Sequence, residues 1–550
     1  MTLAKTRILL AAYAISGIAA LFYEIGWMRE LSTMLGATAY ASGIMLGAFM
    51  TGLGIGALAG VWLSKRITHL LRAASFIELA IAVCSIIAFL GLRYLPVYFF
   101  NWMHRASTGS AAGFLTLQFT SSFLVMVLPT IAMGMTYPLI IRAVGRDRSI
   151  GSVSGQLYAV NTAGAILGSL AVSFISLPLI GVKGSLIVAA VLSIISALLL
   201  RTLAESQIDL LAFFKSPTWI IAVMVITVLT LIPQRTGSPL GLGQAFFYRD
   251  AKAFEWSASR RTTLFDREGI YSRVQVIRDA NGITHMFNGS LDEGTDADTD
   301  RTTAILTAAV PALSIEDRGE ALVVGLGLGC TSETLYDLEF NQVTTIEINP
   351  DVVTAAAYFL NQDYSSSPRW TLHIDDARAY LLTTPSRYDC IASAPSWPWS
   401  SGGAALFTRE FMQAAQSHLT PDGVYCQWLP NYLLQIEDAQ MMYKTMRSVF
   451  DRVDVWSINF EGEQTAELLM VGYHNPSGIG QAEVKARIDA SIAEGTFDNE
   501  FITADSITPY SGPINTPSVI DDPEIPLNTD NHSKLEYRVF WNYLKRAFAH

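Results

Sequence analysis

Seven apolar stretches crowd the first 234 residues, and a chain so built folds into a bilayer rather than into water. They lie near 8–28, 38–64, 72–92, 114–141, 154–178, 183–200 and 218–233. Each is long enough, or nearly so, for the roughly 20 helical residues that cross a hydrocarbon core. The first carries no small-residue cleavage site around Tyr23-Glu24 and Arg29, so it reads as a span and not as a cleaved leader. A further aromatic stretch, Tyr94–Met103, either lies at the interface or dips in as an eighth element. Residues 1–234 are therefore expected to form a polytopic α-helical membrane domain in contact with the lipid bilayer.

Charge divides the chain the same way. Residues 1–234 hold 14 Lys and Arg against 6 Asp and Glu, and the remainder holds 23 against 42, so a domain of net charge +8 is fused to one of −19. An acidic second half argues against nucleic acid as a partner, because phosphate contacts need clustered Lys and Arg. It suits either a small cationic ligand or simply a soluble surface. Cys84 lies in an apolar stretch, and Cys330, Cys390 and Cys426 form no CxxC pair, which argues against a disulfide framework and a metal site.

Lys and Arg in short loops set orientation. With the N-terminus in the cytoplasm, the inner segments hold Lys5, Arg7, Lys65, Arg66, Arg72, Arg142, Arg146, Arg148, Arg201 and Lys215, while the outer loops hold Arg29, Arg93, Arg105 and Lys183. Ten against four, with seven crossings, predicts a multi-pass protein of the cell (inner) membrane whose soluble domain is extracytoplasmic. Gly43, Gly47, Gly52, Gly54, Gly56 and Gly60 in the second stretch predict close helix packing. Glu24 and Glu78 are acidic residues in apolar surroundings. Glu24, about one turn before Arg29, forms either an interfacial ion pair or a substrate contact.

After a Gly- and Pro-rich linker, Ile232–Gly243, the pattern changes to short β runs. Tyr271–Arg278 and Ile283–Phe287 flank Asn281-Gly282, a hairpin signal, within a linker and small β region assigned to residues 235–318. From 319 to 550 strands and helices alternate, the layout of a Rossmann-like α/β domain that binds ligands at the carboxyl ends of its strands. The strand Ala321–Val324 runs into Gly325-Leu326-Gly327-Leu328-Gly329 and a helix opening at Thr331. A second strand, Gln342–Ile348, carries Glu347 near its end, where an acidic residue accepts from ribose hydroxyls. A further strand leads to Asp375-Asp376, and Tyr388–Ser393 is another.

The glycine loop, Glu347-Ile348-Asn349-Pro350, Asp375-Asp376-Ala377-Arg378 and Leu406-Phe407-Thr408-Arg409-Glu410-Phe411 together resemble the spermidine synthase (polyamine aminopropyltransferase) family. Tyr23-Glu24, Leu128-Pro129-Thr130 to Pro138, Tyr158–Gly168, Cys426-Gln427-Trp428-Leu429-Pro430 and Asn528-Thr529-Asp530 are similar to its membrane-fused subgroup. The resemblance implies decarboxylated S-adenosylmethionine, or its product methylthioadenosine, as the ligand of Gly325, Gly327, Gly329, Glu347, Asp375 and Asp376. It implies Glu347 on the ribose and Asp376 on the adenine amino group, and a small cationic amine as acceptor near Asp292, Asp298, Ser396, Trp397 and Gln427.

The chain also departs from that pattern. Aminopropyl transfer needs an amine stripped of its proton, since a free amine has a pKa of about 10. Where the family carries acidic residues in a motif resembling Asp-Ser-Ser-Asp-Pro, this chain reads Ser393-Ala394-Pro395-Ser396-Trp397-Pro398. Ala394 and Trp397 take no proton, so no catalytic base is assigned. The family's Tyr-His-Glu cluster has no counterpart after Asp298. Asp292, Glu293, Asp296, Asp298 and Asp300 offer carboxylates from the hairpin side, or form a solvated acidic loop. That run lacks the Gly and Glu of a calcium loop, and His285, His373, His418 and His532 show no metal spacing, so no metal is expected. Trp397 and Trp399 either pack over a ligand or fill core space, and Cys390 reads as core. Three readings follow: a membrane-anchored transferase of an S-adenosyl donor to an amine; a catalytically silent nucleoside-binding or scaffold protein acting through a partner protein or as a homo-oligomer; or a transporter, which rests only on the polytopic helices and the intramembrane Glu residues.

Overall fold

The computed structural model describes residues 3–36, 38–106, 111–144, 150–205, 259–289, 291–361, 367–400, 402–460, 463–497 and 501–549, with Ser257 and isolated positions between 221 and 231. The chain divides into two compact units, Met1–Phe254 with Glu268–Ser272, and Glu255–Arg267 with Arg273–His550.

The first unit is built of α1 (Leu3–Leu35), α2 (Ala39–Ser64), α3 (Leu70–Ala106), α4 (Ala111–Val144), α5 (Ile150–Ala171) and α6 (Leu177–Ala204). Among the described residues five segments are long and apolar enough to cross a membrane: Ala4–Leu35, Ala39–Ser64, Leu70–Leu92, Ala112–Val144 and Gly151–Ala204. The last, at 54 residues, would run about 80 Å as one helix, far beyond a bilayer core. It is interrupted by a π-helical turn at Val172–Ser176 and by Gly181, whose φ of 66° and ψ of −175° break the helix. It therefore holds both stretches that the sequence separates at 154–178 and 183–200. The aromatic stretch Tyr94–Met103 continues α3 to Ala106 as unbroken helix, so it is neither a separate interfacial segment nor an eighth element. The stretch 218–233 and the linker 232–243 lie outside the described residues, apart from isolated positions.

Small residues set the helix spacing where backbones meet. A Cβ on Gly56 would lie 2.1 Å from the Ile131 carbonyl oxygen of α4, and one on Gly134 would lie 2.2 Å from the Leu53 carbonyl oxygen of α2. A Cβ on Gly52 would lie 1.9 Å from Thr130 Oγ1 and one on Gly60 2.8 Å from the Met135 carbonyl oxygen, whereas Gly43, Gly47 and Gly54 have nothing within 4 Å. Half of the glycine stripe is thus packing surface and half is not. Glu78 is buried, and one of its oxygens accepts from Ser16 Oγ at 2.6 Å. Arg29 does not pair with Glu24. Its guanidinium donates to Glu268 Oε1 at 2.9 Å and to the carbonyls of Gly269, Ile270 and Tyr271 at 2.5, 3.2 and 2.7 Å. Those partners lie some 240 positions away, out of reach of any local pattern.

Among its described residues the second unit carries two sheets. β1 (Thr262–Glu268), β2 (Arg273–Arg278), β3 (Thr284–Asn288) and β4 (Leu291–Thr295) form a four-stranded sheet in that order. Asn281-Gly282 does turn the chain between β2 and β3, with Gly282 at φ 88°, but in a five-residue loop closed by Asp279 N–H to the Ile283 carbonyl. The larger sheet holds β5 (Glu320–Val324), β6 (Gln342–Glu347), β7 (Trp370–Ile374), β8 (Tyr388–Ser393), β9 (Leu419–Leu429), β10 (Arg452–Phe460), β11 (Glu463–Tyr473) and β12 (Ile507–Pro509). Its order is β12-β10-β11-β9-β8-β5-β6-β7. β5 to β9 pair in parallel and β10 to β12 antiparallel. The central strands are apolar on both faces, as buried parallel strands must be: Ala321 to Val324 and Cys390 to Ala392 are at most 1% exposed. The strand order reverses between β5 and β8, and that is where an open α/β sheet presents its ligand crevice.

Candidate active site

Three consecutive strand ends converge on that crevice. β5 ends in the glycine loop, where Gly325, Gly327 and Gly329 have φ of 87°, 52° and 90°, a region that side chains with a Cβ rarely adopt. Gly325 is pressed against the β8 end, since a Cβ there would lie 3.2 Å from the Ala394 carbonyl oxygen. Gly327 faces open space, with nothing within 4 Å of such an atom. The loop is thus tied down on one side and open at its middle, the shape a ligand backbone approach requires.

Glu347 ends β6 and is 8% exposed. Its Oε2 accepts from Leu326 N–H at 3.0 Å and its Oε1 from Asn349 N–H at 2.8 Å. The same carboxylate therefore fixes the glycine loop and retains lone pairs for further donors. Burial pushes its pKa up, and these backbone N–H groups pull against that. Asn349 and Pro350 follow because they start a helix: the Asn349 side chain caps Asp351 N–H, and Pro350 takes the first turn of Pro350–Ala356.

Asp376 caps the helix Ala377–Thr383, one oxygen accepting from the N–H groups of Arg378 and Ala379 at 2.8 and 3.0 Å. Asp375 accepts from Asp376 N–H. Both aspartates are exposed, at the edge of the crevice. Arg378 reaches Asp530 with two donors and Ala405 with a third contact at 3.3 Å. That pairing holds the Asp530 carboxyl below its usual range. Asn528, fully buried, donates to the Phe407 carbonyl at 2.9 Å and accepts from Leu535 N–H at 3.1 Å, while its own carbonyl takes Arg409 N–H at 2.9 Å. Three motifs far apart in sequence, at 375–378, 406–411 and 528–530, are one hydrogen-bonded frame.

The residues that the resemblance assigns to an amine acceptor make these contacts. Trp397 packs against Trp399 at 4.8 Å between ring centres and edge-on to Tyr432 at 6.1 Å. Ser396 Oγ donates to Glu293 Oε1 at 2.8 Å. Asp292 pairs with His285 Nδ1 at 2.7 Å. Burial opposes a charged imidazole there, but the hydrogen bond and charge of Asp292 outweigh it and hold His285 above its ordinary value. Asp298 stands exposed at the first turn of the helix Asp298–Ala312. Gln427 is fully buried, accepting from Tyr425 Oη and donating to the carbonyls of Ser393 and Trp428, so its amide braces the strands. The acidic run is likewise not a solvated loop. Asp296 accepts from Thr284 N–H, and Asp300 accepts from both the N–H and the hydroxyl of Thr295. Among the described residues no three His, Cys, Asp or Glu side chains converge as metal ligands.

Sequence reasoning missed the His285–Asp292 pair and the Glu293–Ser396 contact. The first was recoverable from β2–β3–β4 alternation. The second was not, because β4 carries a bulge: Phe287 faces Asp292 and Met286 faces Gly294, leaving Glu293 as the extra residue.

These features define the class: apolar helices followed by a Rossmann-like α/β domain with a mixed, C-terminally reversed sheet and a small antiparallel sheet before it. Residues 304–459 match the Spermine/spermidine synthase domain. The chain is 25% identical over 430 residues to a polyamine aminopropyltransferase of Corynebacterium efficiens, covering 76% of each protein. It is 24% identical over 440 residues to one of Mycobacterium tuberculosis, again over 76% of each. The chain is thus similar to polyamine aminopropyltransferases over most of its length, and residues 304–459 carry the likeness to the spermine/spermidine synthase domain. A crystal structure of spermidine synthase in complex with the transition state analogue AdoDATO superimposes with a TM-score of 0.40 at 17% identity, over 47% of this chain and 88% of that one.

Proposed function

We propose that the protein is a membrane-anchored transferase that moves the aminopropyl group of decarboxylated S-adenosylmethionine to a small cationic amine, releasing methylthioadenosine. The observation that carries this reading is Glu347, held by Leu326 N–H at the mouth of a glycine loop whose Gly327 faces open space. Glu347 accepts from the ribose hydroxyls, and the free Asp376 oxygen takes the adenine amino group. The acidic surface of residues 235–550 favours approach of a cationic acceptor. The test is to incubate the detergent-purified chain with decarboxylated S-adenosylmethionine and candidate amines and to assay methylthioadenosine. Release that depends on the amine supports the proposal, and none with any amine rejects it.

A second reading, a nucleoside-binding protein that works through a partner protein or as a homo-oligomer, is favoured by Ala394 and by the aromatic packing of Trp397. Methylthioadenosine binding without turnover is its signature. Loop charge favours an extracytoplasmic soluble domain in a multi-pass inner-membrane protein. A reporter fused after His550 that is active only in the cytoplasm would reverse that orientation.

A further inference from the structure

If the site performs aminopropyl transfer, it needs a proton acceptor, and Ala394 and Trp397 are not acceptors. We propose that Glu293, on the β4 bulge, is the carboxylate that takes the proton from the acceptor amine, an inference that rests on the transferase reading above. Three observations point to it. A bulge adds one residue to a strand and re-aims its side chain, and Glu293 is that residue. Its carboxylate reaches Ser396, which lies between Ala394 and Trp397, so it enters the β8-end loop where the missing carboxylates would stand. Finally, it differs from three other acids of the run. Asp292 holds an imidazole, and Asp296 and Asp300 hold backbone N–H groups, whereas Glu293 meets the neutral groups of Ser396 and Asn288.

The surroundings suit the role. Burial pushes the Glu293 carboxyl up to about 7, the Ser396 hydrogen bond opposes this, and the nearby Glu347 adds to it. The titratable groups around it are thus Glu347 from the end of β6, and Asp292 with its partner His285 from the small sheet. A base poised near neutral pH is ionised often enough to act and basic enough to take a proton. A cationic amine arriving between Glu293 and Glu347 also relieves the repulsion between them.

The step balances. The acceptor's ammonium gives one proton to Glu293, and the freed nitrogen lone pair attacks the carbon beside the sulfonium. One C–N bond forms, and one C–S bond breaks with its electron pair returning to sulfur. The products are a secondary ammonium and neutral methylthioadenosine, and Glu293 returns its proton to water.

The experiment compares wild type with Glu293→Gln in the full-length, detergent-solubilised chain. Methylthioadenosine release from decarboxylated S-adenosylmethionine is followed from pH 6 to 9 with 1,3-diaminopropane, putrescine and spermidine. Glu293→Gln is expected to lower kcat by about a hundredfold or more, the scale of general-base catalysis, and to abolish the inflection of kcat near neutral pH. Methylthioadenosine binding, read by thermal shift, stays within threefold, which shows that the variant is folded. Ser396→Ala moves the wild-type inflection upward, because its hydrogen bond lowers the Glu293 pKa. Turnover of Glu293→Gln within threefold of wild type, with the same pH profile, overturns the proposal. If wild type releases no methylthioadenosine, the transferase reading fails separately, and Glu293 is judged by amine-induced stabilisation in the presence of methylthioadenosine. Loss of that stabilisation in Glu293→Gln supports the carboxylate as the amine's partner. Its survival in the variant, or its absence in wild type, overturns it.

Discussion

Replacing Glu347 by Gln tests whether one carboxylate both builds the site and binds the ligand. The two sides of the carboxylate accept from Leu326 and Asn349 N–H groups at 3.0 and 2.8 Å. Glutamine supplies one oxygen and one NH₂, so one buried N–H must face a donor. An unsatisfied buried donor costs about 1–3 kcal/mol, which lowers Tm by roughly 2–4 °C per kcal/mol in a domain of about this size. The proposed ribose contact is lost in addition. A hydrogen bond to a charged group is worth about 1.5–3 kcal/mol, so methylthioadenosine should bind about 10- to 150-fold more weakly. Differential scanning fluorimetry without ligand reads the first effect, and a ligand titration on the folded variant reads the second. A variant as stable as wild type that binds methylthioadenosine within threefold would refute both roles.

Further outcomes follow from the same reasoning. Glu293 has a folded pKa of about 7 against an ordinary value of 4.5, so its stabilising contribution is complete below pH 4.5 and is lost as pH rises to about 7. Glu293→Gln should therefore gain stability relative to wild type between pH 5 and 8, by at most on the order of 3 kcal/mol, seen in Tm against pH. Asn528→Ala leaves the Phe407 carbonyl and Leu535 N–H unpartnered in the interior. It should destabilise the second unit by about 2–5 kcal/mol, with Asn528→Asp intermediate, measured by denaturant or thermal melts. In the first unit, Gly56→Ala forces a methyl against the Ile131 carbonyl and should lower the detergent-state Tm, while Gly47→Ala, with open space, should leave it unchanged or slightly higher.

What the sequence made legible is what short-range physics encodes. Strand, glycine loop, helix and Glu347 lie within some 30 residues, and each residue type there answers a local demand: positive φ at the glycines, and capping at Asn349 and Asp376. β8 could be read at both ends because a strand buried on both faces is an unbroken apolar run. The surroundings of Ser396 were less legible, because they depend on register. A single bulge in β4 decides that Glu293, and not its neighbour Asp292, meets Ser396, and nothing in the local pattern marks where a bulge falls. The partners of Gln427 were not legible, because a polar residue at a strand end reads as a ligand contact until the strand beside it is known. A Glu24–Arg29 pair stays open as one of two sequence readings because the true partners of Arg29 are distant in sequence. Tyr94–Met103 was set apart because Arg93 interrupts the apolar pattern, while the backbone helix continues through it.

The frame that Asn528 closes also fixes an order of events during synthesis. Asn528 lies 121 positions after Phe407, whose carbonyl it caps. A ribosome adding about 5–20 residues per second needs roughly 6 to 24 s to cover that distance. For that interval the Phe407 carbonyl and the Arg409 N–H have no native partner, and Arg378 waits for Asp530. The glycine loop and Glu347 can settle early, on contacts already made, but the wall beside Asp376 cannot. A nascent chain thus acquires its glycine loop first and its frame last. A stalled chain truncated before Asn528 would present an unfinished edge to chaperones and proteases.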